Sequence, residues 1–349
     1  MKHNCYLYAG FCCVASLFSA SLASCDSIYD DLPECRTEHR LSFEYDYNMK
    51  FADAFPAEVN SISVWAFDKQ GKPVWKTRQS GDALREKGFF VDLPLQPGVY
   101  DFVAWGGLKE TPAFSLPTES PSAMTDLSLS LKLKGATKAG DAPSLFSNEK
   151  FEGVYHALLR DVEITYNPNA DEVQDVRLDL MKDTKYVKVL LQNLDGTEMR
   201  KEDLSVYITA DNSELAYDNA VVVGTPEFRY EPWMVTEGVT QAPGDESADV
   251  TSVSSILSEL STSRLMAGSK SVLNVVRNSD GHKIISIPFI DYLLLVKGNY
   301  RPMSNQEYLD RQDEYSLTFF IDKNYNWYSQ IGIYINSWHV VPKQDTPLH

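Results

Sequence analysis

Four carboxylates fall within eight residues, Glu307, Asp310, Asp313 and Glu314, and carboxylates at that density can move protons or hold a cation. Positions 307 and 310 share one face of a helix predicted to open at Ser304, where Glu307, three residues on, completes a capping box. The helix dipole favours acidic residues in the first turn, so this placement has a structural reason that needs no reaction. Asp211-Asn212-Ser213 with Asp218-Asn219 is a second oxygen-rich group, but it lacks the ordered spacing of a calcium loop and reads as turn-forming Asx residues. The histidines beyond residue 25, His39, His156, His282, His339 and His349, are widely separated, and no G-x-S-x-G, H-E-x-x-H, paired CxxC or Gly-rich phosphate loop accompanies them. The expectation is a chain with no catalytic residue, no metal ligand and no cofactor, and therefore no enzyme.

Cys25 is the residue with covalent chemistry to do. The first 24 residues carry Lys2, no acidic residue, and then the apolar run YLYAGFCCVASLFSASLAS, which are the charged and hydrophobic regions of a secretory signal. The run is interrupted by Gly10 and serines, and is too short and polar for a spanning helix of about 20 apolar residues. It closes on Leu22-Ala23-Ser24-Cys25, a sequence that resembles the lipobox of bacterial lipoproteins, in which small residues precede a cysteine that is acylated and becomes the new N-terminus. Each buried acyl CH₂ contributes roughly 0.8 kcal/mol, and stable anchoring takes more than one chain. Cys5, Cys12 and Cys13 leave with the signal, so Cys35 is the one thiol left, and a hydrophobic core rather than disulfides must hold the exported part together.

Removal of the first 24 of 349 residues leaves a length that suits two domains, with 43% hydrophobic residues in the whole chain to build their cores. The formal net charge of −17 excludes a basic nucleic-acid face and reads as solubility and self-repulsion at a cell surface.

The elements that must position any site are short strands. Residues 25–40 are polar and acidic and read as a tether, and Leu41, Phe43, Tyr45 and Tyr47 then alternate with polar residues. Further strands are predicted over 62–67, 89–93, 99–105, 127–133, 162–166, 173–180 and 187–191, with Pro97-Gly98 as a tight turn. The turn-like Lys182-Asp183 divides a sandwich over 41–182 from another over 183–349. The second half predicts strands at 204–209, 221–223, 271–276, 284–289, 315–321, 331–335 and 338–341, a mobile loop over EGVTQAPGDESADV (237–250), a helix from Ser304 and another over 254–261. Many short strands and few helices indicate β-sandwiches. The tryptophans Trp65, Trp75, Trp105, Trp233, Trp327 and Trp338 read mainly as core or cross-strand partners.

Six stretches, in order, carry a family resemblance: CDSIYDDLPEC from Cys25 to Cys35, LSFEYDYNMKFADAFPAEVNSISVWAFDKQGKPVW, LPLQPGVYDFVAWGGL, DNSELAYDNAVV, RPMSNQEYLDRQDEYSLTFFID and IGIYINSWHVV. Together they resemble the FimB-type fimbrial anchor subunits of Bacteroidales type V fimbriae. Residues 144–162, SLFSNEKFEGVYHALLRDV, depart from the Leu-Phe-His-Gly pattern expected there, and no contact residue is taken from them.

The resemblance implies an all-β fold of two tandem transthyretin-like β-sandwich domains. It also implies a lipoprotein at the cell outer membrane, surface-exposed and held by acyl chains on Cys25, that anchors a fimbria and limits its length. Its partner would be a fimbrial structural subunit (pilin), joined by β-strand addition, in which main-chain hydrogen bonds give the affinity. Two other classes stand beside it: a surface glycan-binding lipoprotein using exposed tryptophans, and a surface hydrolase, which would need a cleft where carboxylates, or a Ser and a His, meet.

Overall fold

The computed structural model describes residues 39–135, 143–166, 173–193, 195–241, 252–300 and 302–341. In chain order the first strands are β1 (His39–Glu44), β2 (Ser61–Phe67), β3 (Pro73–Ser80), β4 (Phe90–Asp92), β5 (Gly98–Gly106), β6 (Phe114–Ser115), β7 (Ser128–Leu131), β8 (Lys134–Gly135), β9 (Leu145–Ser147), β10 (Tyr155–Ile164), β11 (Gln174–Asp179) and β12 (Met181–Lys182). They continue as β13 (Lys185–Asn193), β14 (Leu204–Ala210), β15 (Glu214–Ala216), β16 (Phe228–Tyr230), β17 (Met234–Gln241), β18 (Ser252–Thr262), β19 (Val272–Arg277), β20 (Lys283–Pro288), β21 (Glu314–Ile321), β22 (Ile333–Ile335) and β23 (Trp338–Val340). The α-helices among the described residues are short: α1 (Phe55–Glu58), α2 (Phe289–Leu294) and α3 (Asn305–Arg311).

In the first sandwich, a three-stranded sheet ordered β11-β1-β4 packs on a five-stranded sheet ordered β12-β10-β5-β2-β3. Alternation does the sorting: Leu41 and Phe43 of β1 enter the core while Ser42 and Glu44 stay half-buried. Strand β2 is buried along its whole length, because Ile62, Val64 and Ala66 fill the first core while Trp65 and Phe67 fill a second one behind it. Strand β5 repeats this, with Phe102 and Ala104 on one side and Val103 and Trp105 on the other. The five-stranded sheet is therefore a middle layer, and burying a side chain such as Phe102 contributes roughly 1.5–3 kcal/mol.

The chain leaves this layer at Gly107, whose φ of +76° and close approach to the Gly153 carbonyl oxygen leave no room for a Cβ. Beyond it Phe114, Leu127, Leu129 and Leu131 cover the far face of the middle layer. Strand β7 pairs with β6 and β15, and β9 pairs with β16, so residues 114–147 carry strands that pair outside the first sandwich. The second sandwich sets a sheet ordered β17-β18-β13-β21-β22-β23 against one ordered β20-β19-β14-β16-β9-β8. Strand β13 alternates Lys185, Val187, Val189, Leu191 and Asn193 inward, antiparallel to β18 and parallel to β21.

The all-β pair of sandwiches is as the sequence predicts, and so is α3, where the Ser304 hydroxyl accepts the Glu307 N–H at 3.0 Å. Four local expectations are corrected. Residues 254–261 form part of β18, not a helix: Ser254, Ile256, Ser258 and Leu260 alternate inward, and pairing with both β13 and β17 overrides the helical spacing of its apolar residues. Residues 237–241 of the expected loop belong to β17, and 242–250 lie outside the described residues. Val221 makes an isolated bridge to Leu215 and Val223 is 97% exposed, so no strand forms there. The first strand also begins earlier than predicted, at His39.

Candidate functional site: the seam and the open edges

The carboxylates singled out in the sequence gather where the two sandwiches meet. Asp310, buried on α3, takes a two-pronged bond from Arg264, both contacts at 2.9 Å, and a third from Gln306 at 2.9 Å. Asp313 accepts from the Tyr45 hydroxyl at 3.0 Å, across 268 positions of sequence. Lys185, with a side chain wholly out of solvent, donates to the Asp310 carbonyl at 2.6 Å and stands 3.5 Å from Asp313. Lys182 bonds Glu58 at 2.9 Å, and the Tyr155 hydroxyl donates to the same carboxylate at 3.1 Å. Glu307 is paired with Arg311 at 3.0 Å, and the Arg311 guanidinium lies 4.0 Å from the Tyr47 ring centroid and 4.9 Å from that of Phe51. Glu314 opens β21 at the surface.

The low-dielectric setting shifts the ionisable groups. Burial pushes the Asp183 carboxyl up to about 7, against the pull of Arg264 and of the bond from Asn219 at 2.7 Å. Burial drives Lys185 below the ordinary lysine range, countered by Asp313 and Asp310. Tyr45 and Tyr155 are raised by burial first and by neighbouring carboxylates second. Asp310, Asp313, Glu58 and Glu307 each have a cationic or hydroxyl partner, which makes the seam a polar fastening between two bodies.

The other oxygen-rich group also serves this fastening. Asn212 donates to the Arg264 carbonyl at 2.8 Å and accepts from the buried Tyr230 hydroxyl at 2.9 Å, and Arg264 donates to the Asn219 carbonyl. His156, buried and depressed to about 4 by desolvation, bonds the Tyr217 carbonyl at 2.9 Å, so the 217–219 turn is pinned from both sides. His39 meets the Thr165 carbonyl at 3.0 Å, while His282 and His339 are exposed. Cys25, Cys35 and His349 lie outside the described residues. Trp65 and Trp105 are fully buried and Trp338 is 54% exposed.

Two eight-residue strands end their sheets, β3 and β17, each hydrogen-bonded to one neighbour. A third opening lies inside the second sandwich. Strand β14 pairs with β19 from Leu204 to Thr209, but on its other side β16 reaches only Ile208, Thr209 and Ala210. The chain then crosses at Glu231-Pro232 to start β17 in the opposite sheet, leaving a cleft of about 640 Å³ floored by Val206, Val235 and Ile256. The partners of Asp310 and the half-paired β14 carried no signal in one sequence, since both depend on contacts distant along the chain.

The overall fold is shared with adhesin and fimbrial-anchor proteins of known structure. A candidate adhesin of Bacteroides thetaiotaomicron superposes with a TM-score of 0.75 at 30% identity, over 90% of this chain and 100% of that one. A candidate polysaccharide-binding protein of the same species superposes with a TM-score of 0.71 at 27% identity, over 89% and 99%. The minor fimbrium anchoring subunit Mfa2 of Porphyromonas gingivalis is 22% identical over 330 residues, 91% of this chain and 90% of that protein. Its solved structure shares the fold, with a TM-score of 0.61 over 88% of this chain and 99% of that one at 18% identity. Residues 32–342 match the family of fimbrillin-A associated anchor proteins Mfa1 and Mfa2, and the chain belongs to that family.

Proposed function

We propose that this chain is the lipid-tethered base of a cell-surface fimbria, fixed in the outer membrane by acyl chains on Cys25, holding the filament by β-strand addition and limiting its length. The observation that carries the reading is the family match over 32–342, which spans both sandwiches rather than one. The signal and the Leu22-Ala23-Ser24-Cys25 sequence support the tether, and no helix among the described residues is long and apolar enough to cross a membrane. The reading divides the exported chain into a tether that ends at β1, a first sandwich running to 182 apart from the strands of 114–147 that pair outside it, and a second sandwich over 183–349. Polar fastening of the two sandwiches suits a part that must pass tension from filament to lipid without coming apart.

The test deletes the gene and measures how the fimbrial subunit divides between cells and medium, with filament lengths scored by electron microscopy. The expected result is long filaments shed into the medium, with retention restored by wild type and not by Cys25→Ala. Unchanged retention and length after deletion would remove the anchor reading.

Glycan binding is the second reading, favoured by the polysaccharide-binding description of one structural relative and by the exposed Trp338. It expects saturable oligosaccharide binding by the soluble protein, lost in Trp338→Ala.

A further inference from the structure

We infer that the cleft beside the unpaired half of β14 is the receiving site, and that its occupant is an extended segment of a fimbrial subunit carrying apolar residues at alternate positions and a carboxylate. The inference rests on the anchor reading and gives it a location. Three observations bear on it. First, among the described residues no strand pairs with Leu204, Ser205 and Val206 on the side where β16 stops, so a main-chain edge of roughly 10 Å is open to another extended chain. A strand laid there continues the line of β16 and completes the sheet.

Second, the floor is apolar where such a strand would turn its inward side chains. Val206 is 5% exposed, Ile256 is 1% exposed and Val235 is half-buried on the facing sheet. Further along β17, Val239 is 60% exposed although its cross-strand neighbour Ser254 is buried, so the inner side of this edge lacks the cover its neighbours have. Third, the rim has a charge to satisfy. Arg229 is 9% exposed, pairs with Glu231 at 2.8 Å and stacks on Tyr207, yet its buried Nε has no acceptor among the described residues. A carboxylate on the incoming segment supplies that acceptor in a setting where charged hydrogen bonds are strongest.

A pilin segment fits these demands better than a sugar, because the open groups form a straight main-chain row above aliphatic side chains rather than an aromatic platform. The chain's own β23 lies at the opposite edge of the six-stranded sheet from β17.

The test places a photo-crosslinking amino acid at Ser205, at Val235 and, as a control, at Val74 on β3, in the full-length protein in cells, and probes the products with antiserum against the fimbrial subunit. Crosslinks to that subunit from 205 and 235 but not from 74 are expected. In parallel, Val235→Asp and Val239→Asp, at positions not fully buried, are expected to raise the shed fraction of filament about tenfold at normal surface level and protease resistance. Crosslinks between two copies of this chain, or within one copy, would overturn the assignment of the occupant. Crosslinking from position 74 with normal retention in both Asp variants would overturn the cleft while leaving the anchor reading standing. Normal retention in the deletion strain would instead remove the anchor reading itself.

Discussion

The edge strands β3 and β17 are equal in length and opposite in chemistry. Along β3 the outward positions include Lys76 and Arg78, which converge on Glu119, Arg78 at 2.8 Å from its carboxylate and Lys76 at 2.7 Å from its carbonyl. Lys76 also lies 5.2 Å from the Trp65 ring centroid. Charged side chains on an edge repel a second backbone, and a loop held across them blocks its approach. Strand β17 reads Met-Val-Thr-Glu-Gly-Val-Thr-Gln, with one charge, no basic residue and exposed Met234 and Val239. Of two edges on one molecule, one is closed by charge and the other is left open beside a cleft.

The comparison assumes that both edges belong to one cooperative body, and the most disruptive test addresses that assumption. Asp310→Ala removes the paired carboxylate of the half-buried Arg264 and is expected to destabilise by roughly 3 kcal/mol, splitting one denaturant transition into two as the sandwiches come apart. A single, unshifted transition would mean that the seam does not couple the two edges.

A pH series sharpens the same point. The folded chain keeps the Asp183 proton to about pH 7 while an unfolded carboxyl loses it near its ordinary value of 3.8, so this group's contribution to stability falls as pH rises between those values. His156 acts oppositely: its folded value near 4 against 6.5 means stability is lost as pH falls through that window. The two offset each other in mild acid, and from about 6.5 to 7 Asp183 acts alone. Asp183→Asn keeps an acceptor for Asn219, and is expected to gain on wild type by order 1–4 kcal/mol by pH 8, read from urea midpoints at several pH values. A gap that does not widen with pH would show that Asp183 is not protonated in the fold.

Smaller effects come from exchanging the edges. Lys76→Thr with Arg78→Thr makes β3 resemble β17 and is expected to change stability by less than about 1 kcal/mol while raising self-association in sedimentation. Val239→Lys makes β17 resemble β3 and is expected to stay within about 0.5 kcal/mol of wild type, with less filament retained. If the paired β3 change left the protein monomeric, charge would not be what closes that edge.

Strands with strict alternation or a doubly buried apolar run, β1, β2, β5 and β7, were legible in the sequence, as was the Ser304 cap. Strand β18 was not, because Ile256, Leu257 and Leu260 have helical spacing and its inward serines give no apolar alternation. Strand β3 begins at a proline and is largely polar, so only its pairing with β2 reveals it. The acidic half of the seam stood out as clustered carboxylates, whereas its partners Arg264, Lys185 and Tyr45 lie 46, 125 and 268 positions away from the residues they bond.

Strand β1 sits between two neighbours, parallel to β11 over six residues and antiparallel to β4 over three. On the proposed tether at Cys25, tension from a filament in flow would reach the described fold at His39 and run along the axis of β1. Hydrogen bonds perpendicular to a pulled strand are loaded in shear, and must yield together rather than peel one after another. Because β11 leads through β12 into β13, that pull also reaches the centre of the second sandwich by a short covalent route. On that proposal the molecule is a tensile coupling, whose lifetime under force is set by an unfolding rate rather than by equilibrium stability.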